Sequence, residues 1–303
     1  MSAKFLIVGE ALIDIVVEQD GSRSEHPGGS PLNVAVALGR LGHECHLLTR
    51  IGSDARGDAI REHVEHSHVV LTPGSVMDVA TSTAEATLNA EGAATYTFDL
   101  VWDPDDSGLP DAVDAVHTSS IAAVMDKGAA TVADVLRRYR DQSLISYDPN
   151  ARPTLMGTPE AVRGAVEENI ALSDIVKTSD EDVAWLYGTD DVEDVVASWR
   201  ELGPAITVLT RGGEGSVGFS EGGRVQVAPV SVDAVDSVGA GDTFSAGILD
   251  ALAFRGLLGA GNREALRHTP SDDLAAILKR ASRLAAVTVS RAGANPPWTS
   301  ELG

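Results

Sequence analysis

Residues 236–249 read DSVGAGDTFSAGIL. Three small residues, Gly239, Ala240 and Gly241, are followed by one carboxylate, Asp242, just where a helical pattern begins: Phe244, Ile248, Ala251, Leu252 and Arg255 fall at helical spacing. The run from Gly239 to Asp242 is therefore expected at, or just inside, a helix N-terminus, where amide N–H groups lack partners and the helix dipole favours anions. A Gly-x-Gly at a helix start is common and does not by itself specify a phosphate site. Asp242 narrows the possibilities, because its charge repels an anion resting there permanently but suits one that forms transiently. Phosphoryl transfer is such a case: the amides hold the developing charge while Asp242 takes the proton of an attacking hydroxyl. The other reading is structural, with Asp242 stabilising the helix start and the glycines allowing close packing. A dinucleotide fingerprint fits poorly, since it belongs after the first strand, where Gly9 is followed by EALID.

Outward from this helix, short apolar runs alternate with amphipathic stretches. Residues 5–8, 45–51, 115–118, 144–147, 175–177 and 205–210 read as buried strands, and 127–140, 159–172, 192–202 and 272–290 as helices. This alternation predicts a parallel sheet covered by helices, and right-handed crossovers then bring the strand C-termini to one edge, where ligands bind. Two segments break the pattern. In TLNAEGAATYTFDL, residues 87–100, Tyr96, Phe98 and Leu100 alternate with polar residues after an Asn-Ala-Glu-Gly turn, as in a β-hairpin; LIDIVVEQDGS, which follows the first strand, alternates similarly. The two either form a small accessory sheet over the strand C-termini or extend the edge of the main sheet.

Composition limits the partners. The 303 residues carry 45 Asp and Glu against 23 Lys and Arg, a formal net charge of −22, which argues against nucleic acid or an anionic membrane as the main partner. An anionic ligand then requires locally cationic groups. The single cysteine, Cys45, lies in an apolar strand-like run and reads as a core residue, not a nucleophile. The N-terminal apolar run is too short for a signal-peptide core and no stretch approaches a membrane span, so a cytoplasmic protein is expected.

A second motif is HPGGSPLNVAVALGRLGH, residues 26–43. Ser30 followed by Pro31 marks a helix start and Gly42 a stop. Gly28 and Gly29 lie just outside, where missing side chains would let a ligand touch backbone N–H groups, and Asn33 in the first turn could point to the same ligand. A Gly-Gly turn before a helix also has a purely structural reading.

Together, GGSPLNVAVALGRLG and DSVGAGDTFSAG resemble the two signature regions of the ribokinase-like, or phosphofructokinase-B-type, carbohydrate kinases, and the resemblance covers nearly the whole chain. It implies a three-layer α/β/α sandwich with a mostly parallel central sheet. A small β-sheet lid, formed by about 11–20 and 79–101, would belong to the same single domain over 1–303. It also implies ATP as phosphoryl donor, Mg²⁺, and a sugar or nucleoside hydroxyl as acceptor. By the resemblance, Asp242 is the general base and Gly239, Ala240 and Gly241 form the anion hole, while Asp14, Gly28, Gly29 and Asn33 hold the sugar. Asp14 is out of place in the apolar LIDIVV, and a ligand hydroxyl would account for it; an outward-facing strand acid is the alternative.

Further segments extend the resemblance. ISYDPNARP, residues 145–153, is similar to the Asp-x-Asn-x-Arg element of fructokinases and 2-keto-3-deoxygluconate kinases, with Asn150 toward the sugar and Arg152 forking onto phosphate oxygens unless it is a solvated loop residue. IVKTSDEDVAWLYG, residues 175–188, stands where the family has an Asn-x-x-Glu pair; here the pair is Ser179 and Asp182. Asp182 would reach Mg²⁺ through water, and Lys177 is either a phosphate contact or a surface lysine. In VLTRGGEGSVGF, residues 208–219, Thr210, Gly212 and Gly215 are assigned to the nucleotide, and Ser282 is counted with them. SRAGANPP, residues 290–297, resembles the segment closing over adenine, and with Asp236 it suggests a potassium site. The eight histidines show no zinc spacing.

The expected function is ATP-dependent phosphorylation of a primary hydroxyl of a small sugar, fructose first. 2-Keto-3-deoxygluconate kinase is the runner-up, although TYTFDLVWDPDD lacks the arginine that such a lid usually offers an acid substrate. Ribokinase or a nucleoside kinase stands behind it, and pairing into a homodimer through the lid is a further implication. A non-catalytic sugar sensor would have no use for the intact Gly-Ala-Gly-Asp, and a nicotinamide-dependent dehydrogenase would need its cofactor at a loop carrying Asp242.

Overall fold

In the computed structural model, which describes residues 2–88 and 94–302, the chain opens with β1 (Lys4–Val8), β2 (Leu12–Val17) and β3 (Arg23–Gly28), and then enters helix α1 (Ser30–Arg40). Next come β4 (Glu44–Leu48), β5 (Ile51–Gly52), α2 (Ala55–His66), β6 (Val69–Leu71), β7 (Val76–Met77), β8 (Thr83–Leu88) and β9 (Ala94–Asp99). The chain then alternates through β10 (Ala115–Ser119), α3 (Asp126–Tyr139), β11 (Leu144–Asp148), α4 (Pro153–Met156), α5 (Pro159–Leu172), β12 (Ile175–Ser179), α6 (Asp180–Tyr187), α7 (Val192–Ser198) and β13 (Ile206–Thr210). It closes with β14 (Ser216–Ser220), β15 (Gly223–Val227), α8 (Ala240–Arg255), α9 (Arg263–Arg267) and α10 (Ser271–Val289).

The main sheet has nine strands in the order β15-β14-β13-β12-β11-β10-β1-β4-β6. Strands from β13 to β6 run parallel, and β14 and β15 add an antiparallel edge. Its inner strands, from β14 to β1, are almost wholly buried because helices cover both faces, which is why they read as continuous apolar runs instead of alternating ones. One core lies between the sheet and α1, α2, α8 and α10; the other lies on the side of α3, α5, α6 and α7. This is the expected three-layer sandwich. Cys45 is fully buried in the first core, where desolvation raises its thiol pKa, as its apolar neighbourhood predicted.

The two alternating segments form a separate four-stranded sheet, β3-β2-β8-β9, and do not extend the main one. Its strands occupy a narrower span than 11–20 and 79–101 and add β3, which sequence patterning did not single out because RSEHPG has no apolar alternation. Pro27 is tolerated there because β3 is an edge strand. Ile13 and Ile15 point into the core, while Asp14 is exposed on the opposite face, cross-strand from His26 and Ala84. The turn expected at 89–92 lies outside the described residues.

Two expected boundaries differ. The strand expected at 45–51 breaks after Leu48: the Thr49 N–H bonds Ser75 Oγ at 3.1 Å, and β5 then pairs with β7 in a separate two-stranded sheet. The helix expected at 192–202 is α-helical only to Ser198 and tightens into a 3₁₀ turn over Trp199–Leu202.

Candidate active site

α8 carries the decisive carboxylate. The helix is buried along most of its length, from Asp242 to Leu252, between α1 and α10, as its small and apolar residues on every side demand. Gly239 is its N-cap with φ 73°, a left-handed conformation natural to glycine, and a Cβ there would lie 2.6 Å from the Ala294 Cβ. The Ala240 N–H turns back to the Ser237 carbonyl, and the helix's own ladder begins with the Thr243 N–H on Gly239 O at 2.9 Å. The amides of Gly241 and Asp242 fall between these two and have no acceptor inside the helix.

The Asp242 carboxylate is held from across the site. Ser30 Oγ donates to Oδ1 at 2.7 Å, Asn33 Nδ2 to Oδ2 at 2.8 Å and Asn150 Nδ2 to Oδ1 at 3.4 Å. Burial raises the Asp242 pKa, and the Asn33 and Ser30 hydrogen bonds oppose that rise by favouring the charged form. Asp148 nearby raises it further, and Lys177 lowers it.

Beneath the helix start lies a buried ion pair, Lys177 Nζ to Asp148 Oδ2 at 2.8 Å, with Ser245 Oγ donating to the same oxygen at 3.2 Å. A Cβ on Gly241 would lie 3.0 Å from the Lys177 ammonium, so this charge underlies the expected anion hole. Lys177 is thus a buried, paired lysine and not the surface residue of the alternative reading. Its pKa is raised, with Asp148 offsetting the desolvation that acts the other way.

The residues expected on the sugar side centre on Asp14. Burial by the surrounding protein raises its pKa to about 6 although the side chain is open to solvent, and the charges of Arg152 and His26 oppose the rise. A Cβ on Gly28 would fall 1.9 Å from Asp14 Oδ2, and one on Gly29 would fall 2.5 Å from the Glu10 carbonyl oxygen. The space where a side chain would stand is filled by protein at both glycines, so their smallness serves the seating of Asp14 and of the chain at Glu10. The Asn33 amide also holds Asp242 directly.

Arg152 is exposed and folds over its own turn, donating to Asn150 Oδ1 at 2.8 Å and to the Ala151 carbonyl at 2.9 Å. Asn150 itself has φ 36°, a strained value for a residue with a side chain. The Arg152 charge reaches both Asp14 and Glu10.

The remaining assignments separate. Thr210 ends β13, two strands from Asp148 along the same sheet edge, with its hydroxyl on the Thr178 carbonyl at 3.1 Å. Gly212 and Gly215 shape the turn beyond it with φ 46° and 93°, and a Cβ on Gly215 would meet the Val227 carbonyl at 2.2 Å. Ser282 lies on α10 and not on a strand. It is buried in α10, six residues or ~9 Å of helix before Thr288, whose hydroxyl meets that of Thr243 at 2.9 Å near the start of α8.

The two metal assignments meet occupied carboxylates. Asp236 accepts the Val238 N–H at 3.0 Å and the Gly293 N–H at 2.9 Å, clasping the loop before α8 to the C-terminal segment. Each Asp236 oxygen accepts one N–H and keeps a lone pair, so the carboxylate is compatible with the potassium expected there. Asp182 Oδ2 forms a capping box with Ser179 and its Oδ1 accepts the Ala151 N–H at 2.8 Å. Among the described residues no group of three or more His, Cys, Asp or Glu could hold a metal alone. Asp148 and Asp182 nevertheless share the single positive charge of Lys177, and each is adjacent enough to be felt: Asp148 raises the Asp182 pKa after burial. Asp148 Oδ1 is buried without a partner. This surplus of negative charge fits a divalent ion that arrives on a nucleotide, not one caged by the protein.

Sequence reasoning missed Ser30, Ser119 and Glu10 as site groups. Ser30 was legible only as a helix start; in the structure Gly29 is the N-cap, and the Ser30 hydroxyl makes no cap bond and goes to Asp242. Nothing in GEALID distinguishes Glu10 from a surface acid, whereas it is buried, accepts the Ala122 N–H at 3.2 Å and has its pKa raised to about 8 by desolvation.

Comparison with known proteins gives a consistent result. The family model described as pfkB family carbohydrate kinase matches residues 2–301. A fructokinase of Rhizobium leguminosarum bv. trifolii is 34% identical over 281 residues, 88% of this chain and 86% of that protein. Among solved structures, the fructokinase of Xylella fastidiosa with bound ATP superposes with a TM-score of 0.84 over 97% of this chain and 94% of its own, at 24% identity. The aminoimidazole riboside kinase of Salmonella enterica, complexed with aminoimidazole riboside and an ATP analog, gives 0.78 over 96% and 95%, at 25% identity.

Proposed function

Because the chain belongs to the pfkB family of carbohydrate kinases, we propose that it transfers the γ-phosphoryl group of ATP to the 6-hydroxyl of fructose. One observation carries the chemistry: a buried carboxylate, Asp242, sits at the start of α8 beside amides free of the helix ladder, gripped on both oxygens by α1. A carboxylate offers about four lone-pair positions. Ser30 and Asn150 use Oδ1 and Asn33 uses one position on Oδ2, which leaves Oδ2 to receive a substrate hydroxyl.

The sugar lies against Asp14, with Gly28, Gly29 and Asn33 shaping its seat and Asn150 at its reacting end. The four-stranded sheet that carries Asp14 acts as the lid, closing to exclude water, which would otherwise accept the phosphoryl group. The hydroxyl proton passes to Asp242 as its oxygen bonds the γ-phosphorus and the bond to the β-phosphate oxygen breaks, releasing ADP. The amides of Gly241 and Asp242, directed by the turn at Gly239 and Ala240, hold the charge on the transferring group, backed by Lys177 and assisted by Arg152. Thr210, Gly212 and Gly215 lie on the nucleotide side. Asp182 would hold an ATP-borne Mg²⁺ through water, and the ion would supply neutralisation of the phosphate charge.

The reading of fructose rests on the ISYDPNARP element and on the fructokinase relative. The lid's open face also presents Tyr96, 58% exposed and stacked on Phe98, a surface suited to a second copy of this chain. The deciding experiment measures ADP release with fructose, 2-keto-3-deoxygluconate, ribose, adenosine and aminoimidazole riboside as acceptors, for the natural chain and for Asp242→Asn. Fructose should give the highest kcat/KM, and Asp242→Asn should lower kcat by ~10² or more with sugar affinity little changed. A far higher kcat/KM for another acceptor would overturn fructose; retained turnover in Asp242→Asn would remove Asp242 as the base.

A further inference from the structure

The Asp242 carboxylate belongs to a longer chain of hydrogen bonds. Ser30 Oγ lies 2.7 Å from Asp242 Oδ1 and 2.7 Å from Ser119 Oγ, and all three side chains are more than nine-tenths buried. An ionised carboxylate only accepts, so the single Ser30 proton points to Asp242, and the Ser119 proton must then point to Ser30. The chain has one direction: Ser119 to Ser30 to Asp242. Ser30 and Asn33 stand three residues apart on α1 and so share one helix face, which lets them take the two oxygens of the carboxylate separately.

Both serines are held from behind. Gly29 fixes the entry to α1 with φ 113° and no room for a side chain against Glu10 O. Ser119 ends β10, and the next residue, Ser120, has φ 62°, a strained left-handed conformation outside glycine. Such strain persists only where its surroundings impose it, and here it bends the chain at the point where Ser119 meets Ser30.

We propose that Ser30, oriented by Ser119, is a positioning residue that fixes which oxygen of Asp242 is offered to the acceptor hydroxyl. This rests on the reading of Asp242 as the general base. The charges facing that carboxylate are Asp148 from β11 and Lys177 from β12, and α1 presents it only with neutral donors. Removing Ser30 therefore withdraws a donor to the charged form and frees the carboxylate to rotate.

In Ser30→Ala, kcat should fall about tenfold or more while the sugar KM stays within about threefold, and the acid limb of the kcat profile should move to higher pH. Ser119→Ala should act in the same direction but more weakly, and should add nothing in the Ser30→Ala background, because it works only through the Ser30 hydroxyl. Ser119→Ala does not touch Asp242 and carries the test if Ser30→Ala does not fold. The proposal is overturned if Ser30→Ala keeps kcat within about twofold with an unmoved acid limb, or if the two losses add in full. Asp242→Asn separates the two questions: its retained turnover would dismiss the base itself, whereas its inactivity alongside an unaffected Ser30→Ala dismisses only the positioning role.

Discussion

Gly28 makes room for Asp14: a Cβ on the glycine would lie 1.9 Å from the Asp14 Oδ2 carboxylate oxygen. Its backbone is not in the left-handed region, so alanine can occupy the position, and what must yield is the end of a rotatable side chain. Gly28→Ala is therefore expected to fold normally but to displace the acid proposed to anchor the sugar. The sugar KM should rise about tenfold or more with the ATP KM little changed, as expected when a hydrogen bond to a charged group is lost. Steady-state kinetics on both substrates check this, and equal changes in the two constants would contradict it.

Lys177→Met leaves Asp148 buried beside an unpartnered Oδ1 with only Ser245 for company. Breaking a buried pair from one side costs about 3–5 kcal/mol, more than the pair itself contributes, because the remaining charge stays in a poor solvent. Urea unfolding should show a loss of that order, and adding Asp148→Asn should restore part of it. A double variant as unstable as the single one would show that packing, not charge, is responsible.

Glu10 makes stability depend on pH. Its folded pKa, raised by desolvation to about 8 from an ordinary value near 4.5, means that the folded protein holds a proton which the unfolded chain releases. The stabilisation is complete below the unfolded value and is lost as pH rises through about 8. Glu10→Gln imitates the protonated acid at every pH, so its Tm relative to the natural chain should increase from pH 5 up to about pH 8 and level off above it. A difference that stays constant over this range would show that Glu10 is ionised in the folded protein throughout.

The net charge of −22 places like charges close together over the whole surface. Raising ionic strength from about 0.1 to 1 M shortens the screening length from about 10 to 3 Å and relieves this repulsion in the compact state. The expected outcome is a Tm that rises with NaCl in calorimetry, with most of the rise below 1 M. A Tm that falls would mean that the surface ion pairs, such as Arg56 with Glu25, outweigh the repulsion.

Much of the architecture was legible because it follows from local patterns. Buried parallel strands leave continuous apolar runs, and the helix at Pro159–Leu172 begins and ends where its periodicity does. The strand expected at 45–51 failed in part because the turn of the chain at Thr49 is decided by Ser75, 26 residues away. β3 was invisible for a related reason, since its pairing with β2 is made by backbone and not by apolar side chains. In the site, Asp242 and the glycines before it could be read from one short stretch, because a helix start and its acid are local features. Where Ser282 stands relative to the sheet edge was not legible, since that depends on how α10 packs on α8.

The sequence by itself determined the layered α/β class, the helix start bearing Asp242, and the two signature regions that mark the family, since each depends on residues near one another along the chain. Only the tertiary structure decided that Ser30 and Asn33 close on Asp242 from more than two hundred residues away, that Lys177 is buried under Gly241, and that Gly28 yields its space to Asp14. The reason is physical: hydrogen bonds and excluded volume depend on distances in space, and those distances exist only once the sheet has brought the ends of its strands to a common edge.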